Sequence, residues 1–130
     1  MQIHSLTTSG ITVSVQSNFD GDIKDEHIVK YVFSYQITIF NSLNNSVQLL
    51  DRKWNIFDSV GNHHIVEGEG VIGQQPIINP QHTFTYSSWC PLLSPFGYME
   101  GYYTMLNTIT NEKFKIVIPR FELTTDWIKN

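Results

Sequence analysis

Apolar and polar positions alternate along most of this chain with the two-residue period of half-buried β-strands. The first clear run is 11–17, with Ile11, Val13 and Val15 on one face. The longest is 31–41, where Tyr31, Phe33, Tyr35, Ile37 and Ile39 oppose Ser34, Gln36 and Thr38. A third run, 47–58, sets Leu50, Arg52, Trp54 and Ile56 against Asp51, Lys53 and Asn55. Shorter runs cover 63–67 and 81–88, the latter with His82, Phe84 and Tyr86 on one side. Over 99–107, Met99, Gly101, Tyr103 and Met105 share a face, and over 112–118 Phe114, Ile116 and Ile118 turn inward. Pro119 is expected to end that last strand. No window sustains a helical period.

The segments between these runs read as connections. Residues 18–30 carry Asp20, Asp22, Asp25 and Glu26 around Gly21, which predicts an exposed loop. Its acidic spacing lacks the glycine and glutamate positions of a calcium loop. Residues 89–97 form a long connection stiffened by Pro91 and Pro95. About seven short strands joined by turns predict an all-β antiparallel β-sandwich, immunoglobulin- or fibronectin type III-like. A closed barrel fits the pattern as well. One domain spans the chain, with its core at about 11–123, a flexible N-terminus and a polar C-terminal tail. Arg52 is out of place on an apolar face, because a buried guanidinium needs a carboxylate or several carbonyls. It is expected at the sheet rim, stem packed and head in water.

The stretch 67–76, Glu-Gly-Glu-Gly-Val-Ile-Gly-Gln-Gln-Pro, spaces Gly68, Gly70 and Gly73 as in a dinucleotide fingerprint. That fingerprint needs a helix directly after the glycines and an acidic residue about 20 positions on. Pro76 and Pro80 block such a helix, and 89–98 contains no carboxylate. No Lys-Ser/Thr follows the last glycine, so a P-loop is excluded. These glycines are expected to serve a tight loop between strands. An anion nest of backbone N–H groups, holding a phosphate, is the alternative.

Composition narrows the function. Of the 130 residues, 15% are charged and 13% aromatic, which argues against disorder. The net charge of −4 offers no basic field to nucleic acid. Cys90 is the single cysteine, which favours a reducing compartment. No signal-like N-terminus and no apolar run of about 20 residues appear, so a cytoplasmic protein with no membrane association is expected. No histidine neighbours Cys90 in sequence. His63 and His64 are adjacent and point to opposite faces of a strand. His4, His27 and His82 show no ligand spacing, and Glu67 and Glu69 read as solvated edge residues. No catalytic residues, metal ligands or cofactor are therefore expected.

Three blocks stand together in order: 47–54 (Val-Gln-Leu-Leu-Asp-Arg-Lys-Trp), 68–76 (Gly-Glu-Gly-Val-Ile-Gly-Gln-Gln-Pro), and 88–105 from Ser88-Trp-Cys-Pro to Tyr-Tyr-Thr-Met105. With 31–35 before them and 118–121 after, the chain resembles the ApaG (CorD) family over about 11–123. Lys53 departs from the histidine or arginine usual between the arginine and the tryptophan. The resemblance implies a fibronectin type III-like sandwich and a link to cobalt resistance and magnesium efflux, indirect here for want of ligands. It also implies a protein-binding role, as related domains have in larger proteins. The family's glycine motif carries a pyrophosphate-binding proposal, at Gly68, Gly70 and Gly73 here. The expected function is thus a non-enzymatic module for an unidentified protein partner. Trp89, Leu92, Leu93 and Phe96 are the candidate docking residues. Capping of the core by Leu92, Leu93 and Phe96 is the alternative for that stretch.

Overall fold

The computed structural model describes residues 2–125. The polar tail expected beyond the core lies, from residue 126 on, outside the described residues. Nine strands follow in order: β1 Ile3–Thr8, β2 Ile11–Asp25, β3 Ile28–Asn41, β4 Val47–Asp58, β5 Asn62–Glu69, β6 Ile77–Ile78, β7 Thr83–Leu92, β8 Phe96–Asn107 and β9 Lys113–Thr124. They form two antiparallel sheets packed face to face. One is ordered β1-β2-β3-β7 and the other β5-β4-β8-β9, with β6 pairing the start of β4. The sandwich expected from the alternation is the architecture observed, with nine strands in place of about seven. The two added strands are β1, which lies before the expected core, and the two-residue β6.

Inward positions of both sheets meet in one core. Ile11, Val13, Val15, Phe33, Ile37 and Ile39 face Leu49, Met99, Tyr103, Met105, Ile116 and Ile118, all withdrawn from solvent. At its centre Trp54 of β4 contacts Tyr103 of β8 and Phe121 of β9, and meets Tyr35 of the opposite sheet edge-on at 5.7 Å. Each such buried side chain contributes roughly 1.5–3 kcal/mol. A second tie crosses the sheets where the buried hydroxyls of Tyr86 and Tyr103 lie 2.5 Å apart.

Several expectations from the pattern are corrected. Residues 18–30 are no loop: β2 and β3 stay paired out to Asp25↔Ile28, past a bulge between Phe19 and Gly21. Backbone pairing and the Phe19–Phe33 ring contact at 5.4 Å carry this arm after its apolar alternation has stopped. The long connection at 89–97 shrinks to a tight link, because β7 runs to Leu92 and β8 begins at Phe96. Pro91 is tolerated because β7 is an edge strand. Pro119 does not end β9 either. It sits in a bulge opposite Glu100, where the pairs Met99↔Phe121 and Gly101↔Ile118 leave β9 one residue longer. A further bulge in β4, between Leu49 and Asp51, puts Leu49 rather than Leu50 into the core and turns Arg52, Trp54 and Ile56 inward.

The two long sides of the sandwich differ. Along one, the edge strand β1 and its neighbour β2 are laced to β9: the Val117 N–H donates to Thr8 Oγ1 at 3.3 Å, and Ser17 Oγ donates to the Glu122 carbonyl at 3.0 Å. Along the other, the edge strands β5 and β7 share no pairing, and a gap opens between the sheets.

The Tyr86–Tyr103 tie is testable. Tyr86→Phe leaves the fully buried Tyr103 hydroxyl without its partner and is expected to cost about 1–3 kcal/mol in urea unfolding. The double variant Tyr86→Phe/Tyr103→Phe removes both polar groups and should recover part of that loss. A double variant less stable than the sum of the singles would show that the hydroxyl pair is not what is being lost.

Candidate functional site

The glycine loop is shaped by three different constraints. Val71 and Gln74 exchange backbone hydrogen bonds, each 2.8 Å, across Ile72 and Gly73. Both central residues have positive φ, 44° and 75°, as in a type I′ turn. Gly70 has φ +61°, and a Cβ there would lie 2.0 Å from the Gln74 carbonyl oxygen, so only glycine fits. Gly68 lies under the Arg52 side chain, where a Cβ would come within 3.0 Å of Nη1. The loop is tied to β4 as well: the Gly70 N–H and Gln75 Nε2 both donate to the Leu50 carbonyl, at 2.7 and 2.9 Å. The N–H groups of Gly70, Val71 and Gln74 are thus engaged within the protein.

Arg52 is the hub of this arrangement. It is half-buried rather than swung out at the rim, and its Nη1 donates to the carbonyls of Glu69 at 3.0 Å and Gly70 at 2.8 Å. Among the described residues it makes no ion pair. Arg52 lines a cleft of about 390 Å³ in the open seam, within the size range of ligand sites, and a second, more polar pocket beside it. Trp54, Ile56 and Met99 give this cleft apolar walls, and Tyr35, Tyr86 and Ser88 give it polar ones. Burial pushes the hydroxyls of Tyr35, Tyr86 and Tyr103 above the ordinary tyrosine value, and the Arg52 charge pulls each back. All three remain neutral hydrogen-bonding groups.

The two stretches singled out in the sequence meet here. Val71, Ile72 and Gly73 form one lip of the cleft, and Trp89 and Pro91 of β7 form the other. Trp89 is 65% exposed and Ile72 is 53% exposed, which leaves apolar surface on both lips. Leu92, Leu93 and Phe96 divide differently. Leu92 is core at 2% exposure, Phe96 is half-buried, and Leu93 is exposed at the hairpin tip. That tip is fastened by the buried Asp58 carboxylate, which accepts the Leu93 N–H at 2.7 Å and the Ser94 hydroxyl. Ile72 and Val66 on the rim were not singled out from sequence; an exposed isoleucine between loop glycines was the available signal.

Cys90 faces the cleft from β7, and burial pushes its thiol up to about 11, with the Asp58 charge adding to the shift. No three His, Cys, Asp or Glu side chains gather as a metal site among the described residues.

Two outcomes follow. Gly70→Ala combines a left-handed φ with a backbone collision and should destabilise by more than the roughly 1–2 kcal/mol that left-handed backbone alone costs. Gly73→Ala, with open space around it, should stay near that figure, and chemical denaturation of the pair checks the order. Cys90 should resist iodoacetamide at pH 8 in the folded protein and react readily in urea, since its thiolate forms only near pH 11. Equal alkylation rates in the two states would contradict the buried placement.

Comparison with known proteins agrees with this geometry. The sequence profile of the ApaG domain matches residues 22–107. Protein ApaG of Mesorhizobium japonicum is 43% identical over 121 residues, covering 93% of this chain and 92% of the relative. Protein ApaG of Methylobacterium radiotolerans is 39% identical over 127 residues, covering 98% and 97%. The crystal structure of the putative ApaA protein from Bordetella pertussis superposes with a TM-score of 0.78 at 34% identity, over 89% of this chain and 94% of that one. The X-ray structure of a Northeast Structural Genomics Consortium target gives a TM-score of 0.86 at 36% identity, over 90% and 88%. With a matched domain, full-length relatives and the same sandwich, the chain belongs to the ApaG family.

Proposed function

We propose that this chain is a non-enzymatic binding module of the cytoplasm, and that it docks an extended segment of a protein partner in the open seam between β5 and β7. The observation that carries the reading is the asymmetry of the sandwich: one long side is laced shut, and the other holds a preformed cleft with exposed Trp89 and Ile72 on its lips. Unpaired edge strands beside pockets for side chains are the setting in which an extended peptide is captured. An exposed tryptophan at such a rim is a frequent anchor of binding energy. The one thiol is buried and held protonated, and no histidine lines the cleft beside it. Any influence on cobalt or magnesium handling then passes through the partner.

The rival reading, a pyrophosphate-containing ligand at Gly68, Gly70 and Gly73, has the Arg52 charge nearby in its favour. Against it stand the engaged N–H groups of Gly70, Val71 and Gln74.

Affinity capture from the native cell extract, comparing wild type with Trp89→Ser, Ile72→Ser and Leu93→Ser, tests the proposal. Partners should be lost with the first two substitutions and kept with Leu93→Ser, whose side chain lies outside the cleft. Folded Trp89→Ser and Ile72→Ser proteins that retain every partner would sink the seam as the recognition surface. Saturable pyrophosphate binding in calorimetry, abolished by Gly70→Ala in a still-folded protein, would favour the rival.

A further inference from the structure

We infer that Arg52 makes the open seam a carboxylate reader: its occupant is an extended polypeptide that presents an Asp, Glu or C-terminal carboxylate to the guanidinium, with apolar side chains beside it. This rests on the binding reading above and names the chemistry of the partner.

Charge carries the inference. Arg52 is the one charged side chain among the residues lining the cleft, which include no carboxylate. The ion pairs among the described residues, Lys53–Glu67 and Arg120–Glu100, leave it out. Both of its protein acceptors, the carbonyls of Glu69 and Gly70, fall on Nη1. The Nε–Nη2 edge has no acceptor among the described residues. That edge is a planar fork of two parallel N–H groups, the match for a carboxylate. A half-buried guanidinium without a counter-ion is costly, and an incoming carboxylate relieves that cost in a setting where charge pairs are stronger than at an open surface.

A phosphate suits the site less well. It brings roughly −1.5 to −2 charges at neutral pH. No lysine lines the cleft to help neutralise them, and the neighbouring pocket that Arg52 also lines holds Asp51, Glu67 and Glu69 against a single Lys53, itself paired with Glu67. The apolar part of the wall, with Trp54, Ile56, Val71 and Met99, suits the neighbouring side chains of a peptide.

The test is selection from a random octapeptide display library on the full chain, followed by fluorescence anisotropy on the selected peptides. Each peptide is measured beside an analogue with its acid replaced by the carboxamide, against wild type, Arg52→Gln and Arg52→Lys. Thermal melts and amide NMR spectra confirm that the variants are folded, since Arg52 also holds the loop. We expect one acidic position, or the free C-terminus, to recur among the selected peptides. The carboxamide should bind wild type at least tenfold more weakly and bind Arg52→Gln no differently from the acid. Arg52→Lys should recover only part of the affinity.

Peptides that compete at Trp89 and Ile72 yet tolerate loss of the acid would overturn the carboxylate inference and leave the binding reading standing. A library yielding no peptide sensitive to Trp89→Ser would overturn both. Titration of 4-phenylbutyrate and its amide separates the source: a free acid that binds as tightly as the peptides would overturn the polypeptide assignment.

Discussion

The phase of β4 is the constraint on which the rest of this structure depends. The bulge after Leu49 resets the alternation so that Arg52, Trp54 and Ile56 turn inward together. Trp54 is then clasped by Tyr35, Tyr103 and Phe121 and joins the two sheets. The next inward position along the strand, Arg52, carries a charge into the flank of the same core. A guanidinium there requires acceptors, and the chain supplies them as two carbonyls of the glycine loop. The spacing of Gly68, Gly70 and Gly73 serves that requirement. One glycine keeps clear of the guanidinium, one allows the backbone to fold back on itself, and one closes the turn. A motif that looks like a nucleotide signature is accounted for by an arginine of the chain itself.

The same reset creates the difference between the two seams. On the β9 side, side chains reach across to backbone partners and fasten the sheets. On the other side Arg52, Tyr35 and Tyr86 bring polar groups to the open gap. Open edges invite unwanted pairing, and both are guarded: β7 carries Pro91 and β5 carries Glu67 and Glu69. The guards limit what can add to these edges without filling the cleft between them.

Much of the fold was legible because alternation is a local signal. The inward faces of β3, β8 and β9 follow from Tyr35, Ile37, Tyr103 and Ile116 alone. What was lost is what depends on partners distant in sequence. The Asp25–Ile28 arm holds by pairing after its apolar pattern ends, and Pro119 survives in β9 because a bulge at a sheet edge spares its missing N–H. The two-residue period points Leu50 inward because a bulge leaves no mark in it. For the site, the sequence flagged both lips, the glycine loop and Trp89, and flagged Arg52 as out of place. That the three share one cleft depends on β7 pairing with β3 while β5 pairs with β4, a topology no local pattern encodes. Leu92 and Leu93 look alike in sequence because nothing local marks where β7 gives way to the hairpin tip.

The cleft is also stiff, and this bears on how it could bind anything. Arg52 pins the loop lip through two carbonyls, Gln75 reaches back to Leu50, and Asp58 clamps the hairpin at the end of β7 through the Leu93 N–H and Ser94. Two lips held from behind lose little freedom when a ligand enters, which lowers the entropy cost of docking. In the proposed complex the nitrogens of one side chain divide the work, with Nη1 building the site and the Nε–Nη2 edge reading the ligand. An ammonium group has no such geometry: turned to the carbonyls it offers little to the cleft, and turned to the cleft it abandons the loop. In that complex loop stability and ligand affinity are coupled at this position, so Arg-to-Lys exchange there is not a conservative change.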